Sequence, residues 1–207
     1  LTVLKWPGFW LLPATIFVSY SLYSNLSYFN PYLVDVLGID PTASSAISII
    51  RSYGAMVVAP IGGIMADKVF KSTSKWFMCN MVVTAIVIAF VFTFGPESNR
   101  LLVTIYSLLP SLVVYSMYSI EWSIMRELHM HPAVAGTAAG IAGIFGNFGN
   151  VIWPSFFGSV IDKQGTAGYN TIFVFLLIFA AGVFLIGFLG NKWDKTCREG
   201  KKTFKLD

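Results

Sequence analysis

Charge is scarce in this sequence. Only 12% of the 207 residues are charged, 56% are hydrophobic, and the mean hydropathy is +0.69. A soluble domain carries about 25% charged residues. A water-soluble globule built this way would expose more apolar surface than stays in solution, so the solvent that fits is a bilayer. Cysteine is scarce too: Cys79 and Cys197 form no disulfide framework and show no metal spacing, and read as two isolated thiols. The two histidines, His129 and His131, are two apart, so they do not share a helical face, and they read as solvated link residues. With no histidine in an apolar run and no Gly-x-Ser-Gly turn, intramembrane nucleophilic hydrolysis lacks its parts. No Gly-x-x-x-x-Gly-Lys loop offers a nucleotide site. No aromatic-basic groove offers a nucleic-acid site. No re-entrant filter or ring of like charges suggests a channel. The expectation is a protein with no enzymatic activity, no cofactor, no metal and no nucleic-acid partner, lodged in lipid.

What is abundant is long apolar runs. A membrane-spanning helix needs about 20 largely apolar residues. Six windows meet that need, at about 6–29, 42–66, 76–94, 101–125, 133–161 and 171–190. The fifth is long for one span, which predicts tilt. The links are short and hold turn chemistry: Asn30-Pro31 and Asp40-Pro41 bracket the first, Gly95-Pro96 opens the third, and His131-Pro132 closes the fourth. Trp6, Trp10, Trp76 and Trp193 fall near predicted span ends and read as interface anchors. Basic residues set the orientation. Lys5, Lys68, Lys71, Lys75, Arg126 and the six basic residues of the tail fall on one side, against Arg100 and Lys163 on the other. Both termini are therefore expected on the cytoplasmic side. The chain begins with Leu1, which suggests a start inside a longer polypeptide.

A short pattern recurs. The second span ends Pro60-Ile-Gly62-Gly63-Ile-Met-Ala-Asp67-Lys68, and the fifth ends Pro154-Ser-Phe-Phe-Gly158-Ser-Val-Ile-Asp162-Lys163. Both read Pro, then Gly-x-x-x-Asp-Lys, on helices that would cross in opposite directions. The expected organisation is an all-α six-helix bundle made as an inverted three-plus-three repeat, residues 1–95 and 96–191, followed by a basic tail, 192–207. Glycine in such helices lets backbones approach where lipid gives no hydrophobic drive to pack. A carboxylate at a helix C-terminus opposes the dipole, so Asp67 requires the N-terminus of the next helix or a nearby cation.

The segment from Gly63 through Asp67, Lys68 and Lys71 resembles the loop motif of the major facilitator superfamily, with Phe70 where the motif has its second glycine. Tyr28-Phe-Asn-Pro-Tyr-Leu-Val-Asp-Val-Leu-Gly38 is similar to the family's seventh helix, and Gly136-Thr-Ala-Ala-Gly140 through Asp162 to its eleventh. The resemblance implies the C-terminal half of a twelve-helix secondary transporter for a small, often anionic, organic solute. An absent N-terminal half or a second copy would complete it. It also implies a cytoplasmic gate in which Gly63, Asp67, Lys68, Lys71, Glu121 and Arg126 form a charge network. For Glu121 a proton-coupling role competes with that one. A non-transporting scaffold or receptor module, or a self-pairing half, is the alternative for the whole chain.

Arg51 is the sharpest single signal. It falls inside the second span, and its guanidinium stays charged. Burial at that depth costs about 2.5–3.5 kcal/mol even on insertion scales. Ser44, Ser48, Arg51 and Ser52 share one helical stripe. Arg51 therefore either faces a solute pathway or binds backbone carbonyls of a neighbouring helix. Glu121 would lie roughly 17 Å away in depth, which argues against a direct pair. Tyr20, Tyr23 and Ser24 in the first span, with Ser111 and Tyr115 in the fourth, make two polar stripes beside it. Such stripes serve either interhelical bonding or a solute cavity. The glycine row of the fifth span reads as a packing surface, with Asn147 and Asn150 as the side chains there able to touch a solute. The candidate solute-binding set is thus Arg51, Ser48, Tyr20, Tyr23, Ser24, Ser111, Tyr115 and Asn147.

Overall fold

The computed structural model describes residues 2–95 and 97–202. Pro96 and Lys205, used above in the link and the tail, lie outside the described residues. The described chain is helical, with no strand. The helices are α1 (Thr2–Lys5), α2 (Leu11–Asn25), α3 (Phe29–Asp35), α4 (Pro41–Ile64), α5 (Thr73–Ala89), α6 (Arg100–Tyr106), α7 (Leu108–Tyr118), α8 (Pro132–Asn147), α9 (Gly149–Gln164) and α10 (Gly168–Arg198). Local chemistry sets where they start. Asp40 Oδ1 accepts from Thr42 N at 2.8 Å ahead of Pro41 at the first position of α4. Asn99 caps α6 in the same way, and Ser72 Oγ accepts from Lys75 N at the start of α5. These oxygens satisfy amides that have no partner inside the helix.

Four stretches among the described residues are long and apolar enough to cross a membrane: Pro41–Val69, Thr73–Thr93, Arg100–Arg126 and Pro132–Arg198. This is an integral membrane protein. The last stretch has 67 residues, which as one straight helix would reach roughly 100 Å. It turns back at Gly165, whose φ of 57° and ψ of −137° suit only glycine.

Several boundaries differ from those read in the sequence. The first helical run continues past Phe29 to Asp35, so Asn30 and Pro31 lie inside α3 rather than in a link; the turn falls at Gly38, with φ 63°. The long fifth run is broken at Phe148, between two glycines pressed on α2. A Cβ on Gly146 would meet Ile16 at 2.2 Å, and one on Gly149 would meet Ser21 Oγ at 2.7 Å. Helix α10 carries Lys192, Lys195 and Arg198, so much of the basic tail is the end of a helix. Trp76 is buried, with its ring against Phe70.

The core lies where α10 packs against α5 and α2, with Phe9, Phe29, Phe77, Phe157 and Phe173 fully buried. Helix α4 packs on α7 through Gly54 and Gly62; a Cβ on Gly62 would sit 1.7 Å from Ser116 O. Gly63, the glycine of the loop motif, faces open space. Polar glue supports the same contacts: Asn80 Nδ2 donates to Ser116 Oγ at 2.8 Å and to Val113 O at 3.0 Å, tying α5 to α7. Only 11% of the most apolar window of Pro41–Val69 is buried, against 39–44% in the other three stretches. Ile49, Ile50, Tyr53, Met56 and Val57 of α4 are left exposed.

Candidate functional site

Two cavities hold most of the chemistry. The first, about 250 Å³, is lined by Tyr20, Tyr23, Ser24, Leu26 and Ser27 from the first helical run, Arg51, Ser52 and Ala55 from α4, and Ser111 and Tyr115 from α7. It brings together six of the eight candidate solute-binding residues. The helical period accounts for this: Tyr20, Tyr23, Ser24 and Ser27 recur at spacings of three and four, as do Arg51, Ser52 and Ala55.

The other two candidates lie elsewhere. Ser48 Oγ accepts from Asn30 Nδ2 at 2.6 Å and donates to Ser44 O at 3.2 Å. Ser44 Oγ in turn donates to Asn30 O, so this part of the stripe docks α4 on α3. Asn147 is exposed and donates to Gly143 O on its own helix at 2.7 Å.

Inside the first cavity the polar groups are under-satisfied. Arg51 Nε and Nη2 and Ser111 Oγ are buried and have no hydrogen-bond partner among the described residues. Arg51 makes no ion pair among the described residues. Beside it stands a tyrosine cluster. The rings of Tyr23 and Tyr118 stack at 4.2 Å and 9°, Tyr23 and Tyr115 lie 5.5 Å apart, and Tyr20 and Tyr118 5.8 Å apart. A guanidinium with free in-plane donors accepts a planar anion bidentately, and tyrosine and serine hydroxyls can hydrogen-bond what hangs from it.

The second cavity, about 330 Å³, is lined by Ala66, Asp67, Lys71, Ser72, Thr73, Arg126, Glu127, His129, Asp194 and Arg198. Its charges are mostly matched. Arg126 Nη2 donates to Asp67 Oδ1 at 2.9 Å, with both side chains well exposed. A cation is thus the partner that Asp67 needs. The N-terminus of the next helix is taken by Glu127, whose carboxylate accepts from Thr73 N at 2.5 Å, Ser74 N at 3.0 Å, and Ser74 Oγ. That geometry joins a carboxylate to the positive end of α5. Asp194 accepts from His129 Nε2 at 2.7 Å and Arg198 Nε at 2.8 Å. His129 is therefore a hydrogen-bond partner of Asp194 rather than a purely solvated link residue. Where the loop motif lacks its second glycine, Lys71 takes the left-handed conformation, φ 51°. Lys68 is exposed and makes no ion pair among the described residues. Glu121 stands apart from this group: it is buried and bonded to Ser19 Oγ on α2. Glu127 and Asp194 escaped the sequence reading. The only signal for Glu127 was its place beside Arg126, and Asp194 looked like part of a solvated tail.

The sequence profile of the Major Facilitator Superfamily matches residues 9–202. The chain belongs to this superfamily. The Inner membrane protein YihN of Escherichia coli (strain K12) is 24% identical over 182 residues, covering 86% of this chain and 43% of that protein. The Hexuronate transporter of Bacillus subtilis (strain 168) is 24% identical over 157 residues, covering 72% of this chain and 36% of that protein. The chain spans less than half the length of these curated relatives. The superfamily is one of membrane transporters, which accords with a non-enzymatic role.

Proposed function

We propose that this chain is the C-terminal six-helix half of a secondary transporter that moves a small anionic organic solute, a hexuronate being the leading case, by alternating access. One observation carries the reading: Arg51 presents Nε and Nη2 without partners in a cavity walled by tyrosines and serines. A charge left uncompensated in a bilayer span costs stability, so its persistence calls for a function. A carboxylate fits the planar fork, and sugar hydroxyls fit the tyrosine and serine wall. The cavity, at about 250 Å³, suits a molecule smaller than drug size. Similarity to a hexuronate transporter supports the same class.

The six passes are the run Leu11–Asp35, α4, α5, α6 with α7, α8 with α9, and α10. The Pro-Gly-Asp-Lys repeat supports an inverted three-plus-three arrangement with units 1–95 and 96–191. An even number of passes and the basic bias support cytoplasmic termini in a bacterial inner membrane. The bare apolar face of α4 and the shorter length relative to the relatives support a missing N-terminal half that covers it. Asp67 and Arg126, with Gly63, Lys68 and Lys71 around them, form the cytoplasmic latch. Their pair joins the end of α4 to the segment after α7, and it can part at small cost when the cavity changes the side it faces.

Uptake of radiolabelled glucuronate by vesicles holding the natural full-length polypeptide tests this. The expected result is saturable uptake in the wild type, and its loss in Arg51→Ala. Uptake unchanged by that substitution removes Arg51 from the solute site.

A further inference from the structure

A third hollow lies apart from both cavities. It is a groove of about 230 Å³ walled by Val58 and Ile61 of α4, Val83 of α5, and Leu112 and Val113 of α7. Helix α7 packs against both α4 and α5 and forms the floor. All three helices belong to stretches apolar enough to cross a membrane, and the groove opens outward at Ile61 and Val83, both exposed. Three further side chains line it: Trp76, Asn80 and Ser116. Two of them are satisfied within the bundle. Asn80 Nδ2 donates to Ser116 Oγ and Val113 O, Asn80 Oδ1 accepts from Thr84 Oγ1 at 3.3 Å, and Ser116 Oγ donates to Val113 O at 2.7 Å. Trp76 is not. It is 8% exposed, Phe70 packs on its ring, and its Nε1 has no hydrogen-bond partner among the described residues. An indole N–H only donates, so what it lacks is an acceptor. Water is a poor one here, because a buried water needs two to four polar partners and this groove has one to spare.

Charge gives the groove a direction. Trp76 ends the first turn of α5, and Val83 lies two turns on, about 10 Å deeper. Beside the shallow end, Lys68, Lys71 and Lys75 are exposed and form no ion pair among the described residues. Asp67, the one acid between α4 and α5, is held by Arg126. The groove therefore runs from an apolar bottom, past a lone donor, to free cations. A glycerophospholipid has the same order: acyl chain, ester carbonyl, phosphate. A packed helix does not fit, since an α-helix about 10 Å across fills roughly 800 Å³ in a 10 Å length. We propose that this groove binds an anionic glycerophospholipid of the surrounding bilayer. One acyl chain lies between α4 and α5 over α7, its ester carbonyl accepts from Trp76 Nε1, and its phosphate faces Lys75. The indole sets the lipid's position, and the lysines set the preference for a negative headgroup. The site requires only that the chain spans a membrane, and it is independent of what the Arg51 cavity binds.

Native mass spectrometry of the natural full-length polypeptide, titrated with phosphatidylglycerol or with phosphatidylcholine of the same acyl chains, tests this. The expected result is one saturable phosphatidylglycerol site, at least ~5-fold tighter than for phosphatidylcholine. Lys75→Gln should weaken phosphatidylglycerol by about 5-fold and leave phosphatidylcholine unchanged. Trp76→Phe should weaken both lipids, because both carry the ester. Val83→Trp, which fills the groove, should weaken both by at least ~10-fold, with thermal unfolding showing that the variant is folded. Phosphatidylglycerol with brominated acyl chains should quench the tryptophan fluorescence of the wild type more than that of Trp76→Phe, a readout that needs no filled groove. Equal affinity for the two lipids overturns the proposal. So does phosphatidylglycerol binding that survives Val83→Trp and Trp76→Phe. Displacement of the lipid by glycerol phosphate would make this a phosphate site instead. A dimer that Val83→Trp breaks, with lipid binding unchanged, would give the groove to a second copy.

Discussion

Two cavities of similar size lie in this bundle, and they treat charge in opposite ways. Around the larger one, Asp67 meets Arg126, Asp194 meets His129 and Arg198, and Glu127 meets the amides of α5. Around the smaller one, Arg51 forms no ion pair among the described residues, and its buried Nε and Nη2 have no hydrogen-bond partner there. The larger cavity is charge-matched and partly open to water, where each exposed pair contributes little and can be exchanged cheaply. The smaller is charge-deficient and sits in a membrane span, where a lone cation invites a ligand. In the reading proposed above, matched charge belongs to the latch and unmatched charge to the solute cavity.

The largest expected effect falls on the unmatched side. Arg51→Ala removes one partner of the proposed desolvated ion pair with the solute, worth about 3 kcal/mol, so glucuronate affinity should drop roughly 100-fold in a binding titration. Arg51→Lys should recover part of it, because an ammonium keeps the charge and loses the fork. A mutant that binds as the wild type does would erase the contrast between the cavities.

A step smaller is the close contact of α4 with α7. Gly62→Ala puts a methyl against Ser116 O and forces α4 away from α7, at a cost of about 1–3 kcal/mol. Gly63→Ala faces open space and should leave stability unchanged. Thermal unfolding in detergent of the two variants compares them directly. On the matched side, Glu127→Ala leaves the first amides of α5 unpaired in a buried setting and should cost about 1–3 kcal/mol by the same assay. Asp67→Asn, by contrast, breaks an exposed pair and should cost less than about 1 kcal/mol, shrinking further in high salt.

The smallest effect concerns Asp40, outside the spans. Hydrogen bonds from Thr42 and Ala43 hold its carboxyl below the usual range. A depressed folded value means that the cap contributes above the unfolded pKa and is lost as pH falls through the folded one. Exchange of the Thr42 and Ala43 amides should therefore speed up only in acid, and Asp40→Ala should show the fast rate at every pH. Protection that ignores both changes would remove the cap.

How much of this was readable in advance depends on range. Apolar windows placed the long helices, because the bilayer demands them. Helical periodicity put Tyr20, Tyr23 and Ser24 on one face and Arg51 with Ser52 on another, and the bundle brings those faces together. Ser48 and Asn147 share the same kind of pattern yet lie outside the cavity, since periodicity does not say which neighbour a face meets. Ser48 meets Asn30. Gly62 and Gly63 are adjacent in sequence, and only the interhelical contact with Ser116 tells the packing glycine from the free one. Glu127 depends on partners more than 50 positions away, so no local signal reaches it, and the same holds for the His129 contact of Asp194; the pairing of Asp194 with Arg198, by contrast, is legible at i,i+4 spacing. The family resemblance places Glu121 with the charged loop. A resemblance does not give azimuth, and the side chain turns inward to Ser19.

The most direct measurement of the central claim is the affinity of the natural full-length polypeptide for glucuronate beside that for glucose, a sugar of similar size without the carboxylate, in wild type and Arg51→Ala. The account predicts a strong preference for glucuronate that disappears with the arginine. Equal affinity for the two sugars in the wild type, or a preference that outlives Arg51, would contradict it.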